Sequence, residues 1–250
     1  MGMDWIYGIQ PVLQVLKAGR RKSKEIQIHR THKGEEIQEI LSLASSQKIS
    51  VRQVEKISIP HSSPDLLHQG VALLTEPYPY LDIQNLFQEL QKKDSCLLLL
   101  LDQIQDPHNL GAILRTAHCA GVDAVLLPER GGALINATVL KTSAGAAEYL
   151  PIYLITNLAR SIEELKEKSI WVYGAEGGEV RAYDDEKYPP KTAIVVGSEG
   201  KGLRHLIKEK CDLLISIPLL GRINSLNVSV ATGILLYEVL RQRKNTTNTP

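Results

Sequence analysis

The apolar positions give the chain two textures. Over the first seventy-five residues, short strand-like and helix-like pieces alternate. Pro11 to Lys17 reads as a helix after a turn at Gly8, EIQIH (25–29) alternates with the period of a strand, and EEIQEILSLASSQ (35–47) has helical spacing. VRQVEKI (51–57) fits either period, and GVALLTE (70–76) reads as a strand. This is the pattern of a small mixed α/β module. It ends at EPYPYLD (76–82), whose two prolines favour extended backbone and mark a linker, and residues 83–93 then read as a short polar helix.

From Ser95 the pattern changes. LLLLL (97–101) is a continuous apolar run, as expected of a strand buried on both faces of a parallel sheet. VDAVLLP (122–128), SIWVYGA (169–175), TAIVVGSE (192–199) and LLISIPL (213–219) are further strand candidates with helical segments between them. Strands alternating with helices in this way predict a parallel, helix-covered α/β domain. The last helix starts near Val228, with Val228, Ala231, Leu235 and Val239 on its apolar face and Arg241 and Arg243 closing it. The chain therefore divides into a module at 1–76, a linker at 77–94, an α/β domain at 95–243 and a disordered tail, KNTTNTP, at 244–250. It carries no internal repeat.

Composition narrows the reading. Hydrophobic residues make up 43% of the 250, enough for a core, and Phe87 is the only phenylalanine, so that core is built from Leu, Ile, Val and Ala. No run of eighteen apolar residues occurs, and MGMDWIYGIQ lacks the basic and apolar regions of a secretory signal, which argues against a membrane span or secretion. Cys96, Cys119 and Cys211 are odd in number and widely spaced, which disfavours a disulfide framework or a zinc site and suits a reduced, cytoplasmic compartment. The net charge of +1 hides an asymmetry. Residues 1–75 hold ten Lys/Arg against seven Asp/Glu and four of the seven histidines (His29, His32, His61, His68), while residues 95–250 hold seventeen of each sign. The tightest basic cluster, KAGRRKSK at 17–24, is either a solvated face or an electrostatic footprint for a polyanion.

In open parallel sheets ligands bind beyond the carboxyl ends of the strands, so the residues that follow each strand are the candidates. After LLLLL, Pro107 and Asn109 start a helix, Gly111 leaves room for close approach, and Arg115 follows one and a half turns on. A helix start with an added Arg is either a cap with a surface charge or an oxyanion site. After IVV comes GSEGKGL (197–203), whose G-x-x-G-x-G spacing is neither the dinucleotide fingerprint nor a P-loop. It is a tight turn, or a place where backbone approaches a flat ligand. After LLISIP comes LLGRINSLNVS, with Asn224, Ser225, Asn227 and Ser229 around a face that is expected to enter a core. Four polar groups exceed the needs of one N-cap, and buried polar groups require partners, so water or a ligand is expected there. No metal ligands and no nucleophile–base pair stand in these segments. Such a site suits an organic cofactor that carries the chemistry itself.

Taken together, NLGAILRTAHCAG, VVGSEGKGL and ISIPLLGRINSLNVSVATGILLYE resemble the three ordered motifs of the SpoU (TrmH-type, SPOUT class) RNA ribose 2′-O-methyltransferases. The likeness covers residues 95–243 strongly. The N-terminal module and HQGVAL (68–73) resemble, more weakly, the subgroup that carries a small α/β ribosomal-protein-like substrate-binding domain and methylates a guanosine ribose in 23S rRNA. The resemblance implies S-adenosyl-L-methionine as cofactor, no metal, and a parallel helix-covered sheet whose C-terminal part forms a trefoil knot, against the general rule that chains are unknotted. It also implies a homodimer.

Residue by residue, Gly197, Ile217 and Leu226 fall where backbone holds the cofactor, with Gly202 and Leu219 beside them, and Asn109, Arg115, Glu199, Ser225 and Asn227 match polar active-site positions. Guanidinium stays protonated above pH 12, so Arg115 is read as a phosphate and oxyanion ligand rather than a base. Arg20, Arg21, Lys22 and Lys24 would supply sequence-independent RNA phosphate contacts. The rival substrate is tRNA. A non-catalytic RNA-binding protein on the same scaffold is a rival class, and a nicotinamide oxidoreductase is disfavoured by the missing G-x-G-x-x-G.

Overall fold

The computed structural model describes residues 2–60, 67–178 and 180–247. They form two compact units: Met1–Pro79 with Ile135–Tyr149, and Tyr80–Leu134 with Leu150–Pro250.

The first unit is built on a four-stranded sheet. Strand β1 (Asp4–Tyr7) pairs antiparallel with β4 (Val71–Thr75), β4 pairs antiparallel with β2 (Ser23–His29), and β2 pairs parallel with β3 (Ser50–Val54). Helix α1 (Ile9–Ala18) buries Val12, Leu13, Val15 and Leu16 and stops at Gly19, whose φ of +61° gives the left-handed turn that most side chains resist. Helix α2 (Glu35–Ser46) buries Ile37, Ile40 and Ala44 at helical spacing. The ambiguous VRQVEKI is thus a strand in its first part. Strand β1, in MGMDWIYGIQ, carried no sequence expectation. The unit is completed by a segment distant in sequence: α5 (Ala137–Thr142), capped by Asn136 through a 3.0 Å bond from the Val139 N–H, and a 3₁₀ turn at Ala146–Tyr149. Tyr149 donates to Gln14 Oε1 at 2.6 Å, tying that turn to α1.

The second unit is a seven-stranded, wholly parallel sheet. Its chain order is β5 (Cys96–Asp102), β6 (Ala124–Pro128), β7 (Ile152–Ile155), β8 (Trp171–Ala175), β9 (Arg181–Ala182), β10 (Lys191–Gly197) and β11 (Leu213–Ser216), and its spatial order is β7-β6-β5-β10-β8-β11-β9. All of β5 is buried, as its unbroken leucine run predicts. Helices α3 (Ile83–Leu90), α4 (Pro107–Cys119), α6 (Leu158–Lys166), α7 (His205–Lys210) and α8 (Val228–Thr247) complete the unit. The short polar helix expected at 83–93 is amphipathic: Asp82 caps α3, and Leu86, Phe87 and Leu90 join the core. Two further expectations need correction. Residues 244–247 belong to α8 rather than to a disordered tail, and 248–250 lie outside the described residues, as does His61. Arg241 and Arg243 consequently sit inside the helix, where Arg243 donates to Cys96 O at 2.7 Å and Pro190 O at 2.8 Å.

Candidate active site

The site is assembled by three turns at the carboxyl ends of β5, β10 and β11. After β5, the side chain of Asp106 caps α4 by accepting the His108 N–H at 2.9 Å, and Pro107 begins the helix with no N–H to satisfy. This places Asn109 in the first helical turn, where its amide donates to Asp106 Oδ2 at 3.1 Å and to Glu199 Oε1. Asn227 donates to Asn109 Oδ1 at 3.0 Å and to Glu199 Oε1 at 3.4 Å. Its own Oδ1 accepts the Ser229 N–H at 2.9 Å and the Ser229 hydroxyl at 2.6 Å, which caps α8. Three residues separated by tens of positions in the chain thus form one hydrogen-bonded group.

The loop after β10 is held by constraints of a different kind. A Cβ on Gly197 would fall on the backbone of Gly202 and Leu203, so no side chain is tolerated where β10 passes under its own loop. Gly202 has φ +64° and its N–H donates to Ser198 O at 2.9 Å, closing the turn. Asp102, at the end of β5 and buried, accepts the Arg204 N–H at 2.9 Å and its Nε at 2.8 Å, and the Arg204 Nη2 lies 2.7 Å away. This bidentate pair fixes the loop's far end to the centre of the sheet. Neither Asp102 nor Arg204 carried a sequence expectation, because the pair spans a hundred residues.

Between these turns lies a cavity of about 440 Å³. Its apolar wall includes Val196, Ile215, Ile217, Leu226 and Leu235, and its polar wall includes Glu176, Ser198, Glu199, Lys201, Asn224 and Ser225. Of the residues proposed from sequence, Ile217, Leu219, Leu226, Gly202, Glu199 and Ser225 line this one cavity. Gly197 sits just behind it, between the lining residues Val196 and Ser198, and Asn109 and Asn227 join through Glu199. Arg115 stands apart: it is exposed, does not line the cavity, and its side chain makes no hydrogen bond or ion pair among the described residues. The expectation that Asn224, Ser225 and Asn227 are buried is overturned, because the whole stretch from Leu219 to Asn227 is exposed in this chain and α8 begins only at Val228. Asn227 is there for capping and for the three-residue group, not as a buried amide in search of a partner.

The basic cluster of the first unit also divides. Lys22 and Lys24 are exposed. Arg21 is buried, with its side chain 1% exposed against a fully covered Glu148 carboxylate, to which both Nη2 and Nε donate. Its guanidinium also lies over the Tyr78 ring at 5.0 Å. A phosphate cannot reach it, so Arg21 is corrected from an RNA contact to an internal anchor. Arg20 is half-buried and donates to Glu148 O at 3.0 Å and to the Tyr78 hydroxyl at 3.4 Å, which removes part of its freedom to meet RNA. Elsewhere in this unit, His68 of HQGVAL accepts the Gly70 N–H at 3.0 Å. Burial and the neighbouring His29 and His32 rings lower its pKa below the ordinary histidine value.

Comparison with known proteins agrees with this architecture. Residues 96–237 match the SpoU rRNA Methylase family, and residues 5–81 match the family described as RNA 2′-O ribose methyltransferase substrate binding. A protein of Staphylococcus aureus (strain COL) described as a TrmH family tRNA/rRNA methyltransferase is 42% identical over 243 residues, covering 95% of this chain and 96% of that protein. The crystal structure of the SpoU methyltransferase AviRb from Streptomyces viridochromogenes, in complex with AdoMet, has a TM-score of 0.80 at 21% identity and covers 98% of this chain and 92% of its own. AdoMet-bound rRNA methyltransferase from Sinorhizobium meliloti has a TM-score of 0.77 at 23% identity over 96% of this chain and 87% of its own. At that identity the two structures establish the fold. The chain therefore belongs to the SpoU rRNA methylase family and is an RNA ribose methyltransferase.

Proposed function

We propose that this chain methylates the ribose 2′-hydroxyl of a guanosine in 23S rRNA, with S-adenosylmethionine as donor, and that it acts as a homodimer. The observation that carries the reading is the hydrogen-bonded group of Asn109, Glu199 and Asn227 joined to the wall of a cavity of about 440 Å³. That volume falls in the roughly 300–1,000 Å³ range of small-ligand sites. The cavity also fits the cofactor chemically: its apolar side suits a purine, and its carboxylates, hydroxyls and lysine suit a ribose and an amino-acid tail. When bound, S-adenosylmethionine supplies a methyl group activated by its sulfonium. Everything else is the work of this chain's residues.

Asn109 and Asn227 hold the Glu199 carboxylate in one orientation at the cavity edge, and preorganisation of this kind is how a positioned site lowers a barrier. Arg115 keeps its charge and donates in a fork, so its part is to bind the phosphate beside the target ribose and to stabilise the forming 2′-oxyanion. Six residues along α4 turn Arg115 about 120° away from Asn109 around the helix axis. That geometry favours delivery of Arg115 to the cavity of a second protomer. The exposed side chains of Leu220, Ile223, Val230 and Tyr237 supply the apolar contact for such a dimer. The bare backbone of Gly197 beneath Gly202 suits the tight crossing of the expected trefoil knot. Lys22 and Lys24 provide phosphate contacts on the first unit.

The S. aureus relative's description as a tRNA/rRNA methyltransferase supports a second reading, with tRNA as substrate. The test is to incubate the purified protein with S-adenosylmethionine and total RNA from cells lacking the gene, then to map 2′-O-methylation. A new mark at one guanosine of 23S rRNA is expected. Marks confined to tRNA favour the second reading, and cofactor binding without any mark would reduce the protein to a non-catalytic RNA binder.

A further inference from the structure

Glu176 takes no part in the mechanism above, yet it lies on the cavity wall. It follows strand β8, and its backbone N–H donates to Ile215 O at 3.0 Å, which fixes it at the carboxyl end of the sheet. One side of its carboxylate is anchored: Oε1 receives the Lys208 ammonium at 2.9 Å. The other oxygen, Oε2, is buried and accepts no hydrogen bond among the described residues. A buried carboxylate oxygen without a donor carries a desolvation cost that a native site seldom leaves unrelieved. The torsion that turns a carboxylate is soft, so a small rotation presents this oxygen to the cavity while Lys208 stays in place. Across from it stands Gly202, in the left-handed region at φ +64°, where a Cβ would come within 3.4 Å of Oε2. The carboxylate and the glycine turn therefore form the two sides of a slot.

The charge balance selects the donor. Lys208 already contributes one full positive charge to this carboxylate. A second cation would leave three partly buried groups with a net charge to desolvate, whereas neutral hydroxyl donors leave the pair balanced. A ribose offers two adjacent hydroxyls, and carboxylate to ribose hydroxyl is a recurrent pairing in nucleoside-binding sheets. We infer that Glu176, fixed by Lys208, is the positioning residue that holds the ribose diol of the cofactor, not its amino-acid end. The inference rests on the cofactor reading proposed above.

Calorimetry on the full chain separates the two. The ligands are S-adenosylmethionine and methylthioadenosine, which keeps the nucleoside and lacks the amino-acid tail. Glu176→Gln is expected to weaken both by the same factor, roughly 10- to 100-fold for loss of a hydrogen bond to a charged acceptor, and to raise the cofactor KM with kcat little changed. If only S-adenosylmethionine is weakened, Glu176 faces the amino-acid end and the inference is overturned. If neither is weakened, the residue is structural and the inference is again overturned. If the unmodified protein binds neither ligand, the cofactor reading itself fails. Lys208→Ala, which frees the carboxylate from its anchor, is the second variant. An equal loss for both ligands is expected there too, and it carries the test if the Glu176 variant does not fold.

Discussion

The Arg21–Glu148 pair allows a sharp test of what the basic cluster does. Arg21→Met keeps the length of the side chain and removes the charge, leaving the fully buried Glu148 carboxylate without its ion-pair partner. Removing one partner of such a pair costs about 3–5 kcal/mol, because the remaining charge is stranded away from water. The loss should reach about the middle of that range, since the guanidinium also meets the Tyr78 ring at 5.0 Å. At about 5 °C per kcal/mol for a unit of this size, 4 kcal/mol lowers the melting temperature of the first unit by about 20 °C. Replacing both partners, Arg21→Met with Glu148→Leu, should recover most of the loss, because an apolar pair has no desolvation to repay. Because the chain has two units, a probe specific to one of them is needed. Trp5 is the only tryptophan of the first unit, and in a Trp171→Phe background its emission reports that unit alone. The reasoning fails if the single variant loses less than about 1 kcal/mol, or if the double variant is no more stable than the single. It also fails if the folded single variant shows a shallower salt dependence of RNA binding, as loss of a phosphate contact would produce.

Other consequences are quickly checked. Asn227→Asp keeps the oxygen that caps α8 but turns the donor facing Glu199 and Asn109 into a repelling oxygen, so thermal stability should be nearly retained while methyl transfer drops at least tenfold; unchanged turnover would remove the three-residue group from the mechanism. Lys22→Ala and Lys24→Ala should each weaken RNA binding and lower the salt slope by about 0.7–0.9 without altering cofactor affinity, as measured by binding titrations at several ionic strengths. Burial pushes the Cys211 thiol up to about 12, so at pH 8 it is almost wholly protonated, and mass spectrometry should find exposed Cys119 alkylated well before Cys211; equal rates would contradict the packing around α7.

The amino-acid sequence alone determined much of the second unit. A run such as LLLLL suits a strand covered on both sides, which β5 is, and Asp106 caps α4 from its position just before Pro107. The segments after β5, β10 and β11 stood out as candidates because ligands in parallel sheets bind beyond the carboxyl ends of the strands, although a cap or a tight turn explained each one taken alone. Strands β1, β7 and β9 carried no expectation, and each takes its place in a sheet by pairing with another segment, β1 with β4, β7 with β6 and β9 with β11. The same limit explains Arg21. In KAGRRKSK it is one charge among several, and only the arrival of residues 146–149, more than a hundred positions later, buries it. It explains Asn227 as well, whose residue type was informative but whose exposure and partners were set by where three loops meet. Local propensity and periodicity are written along the chain, whereas burial, pairing and a charge without a partner exist only once segments far apart in sequence have been brought together.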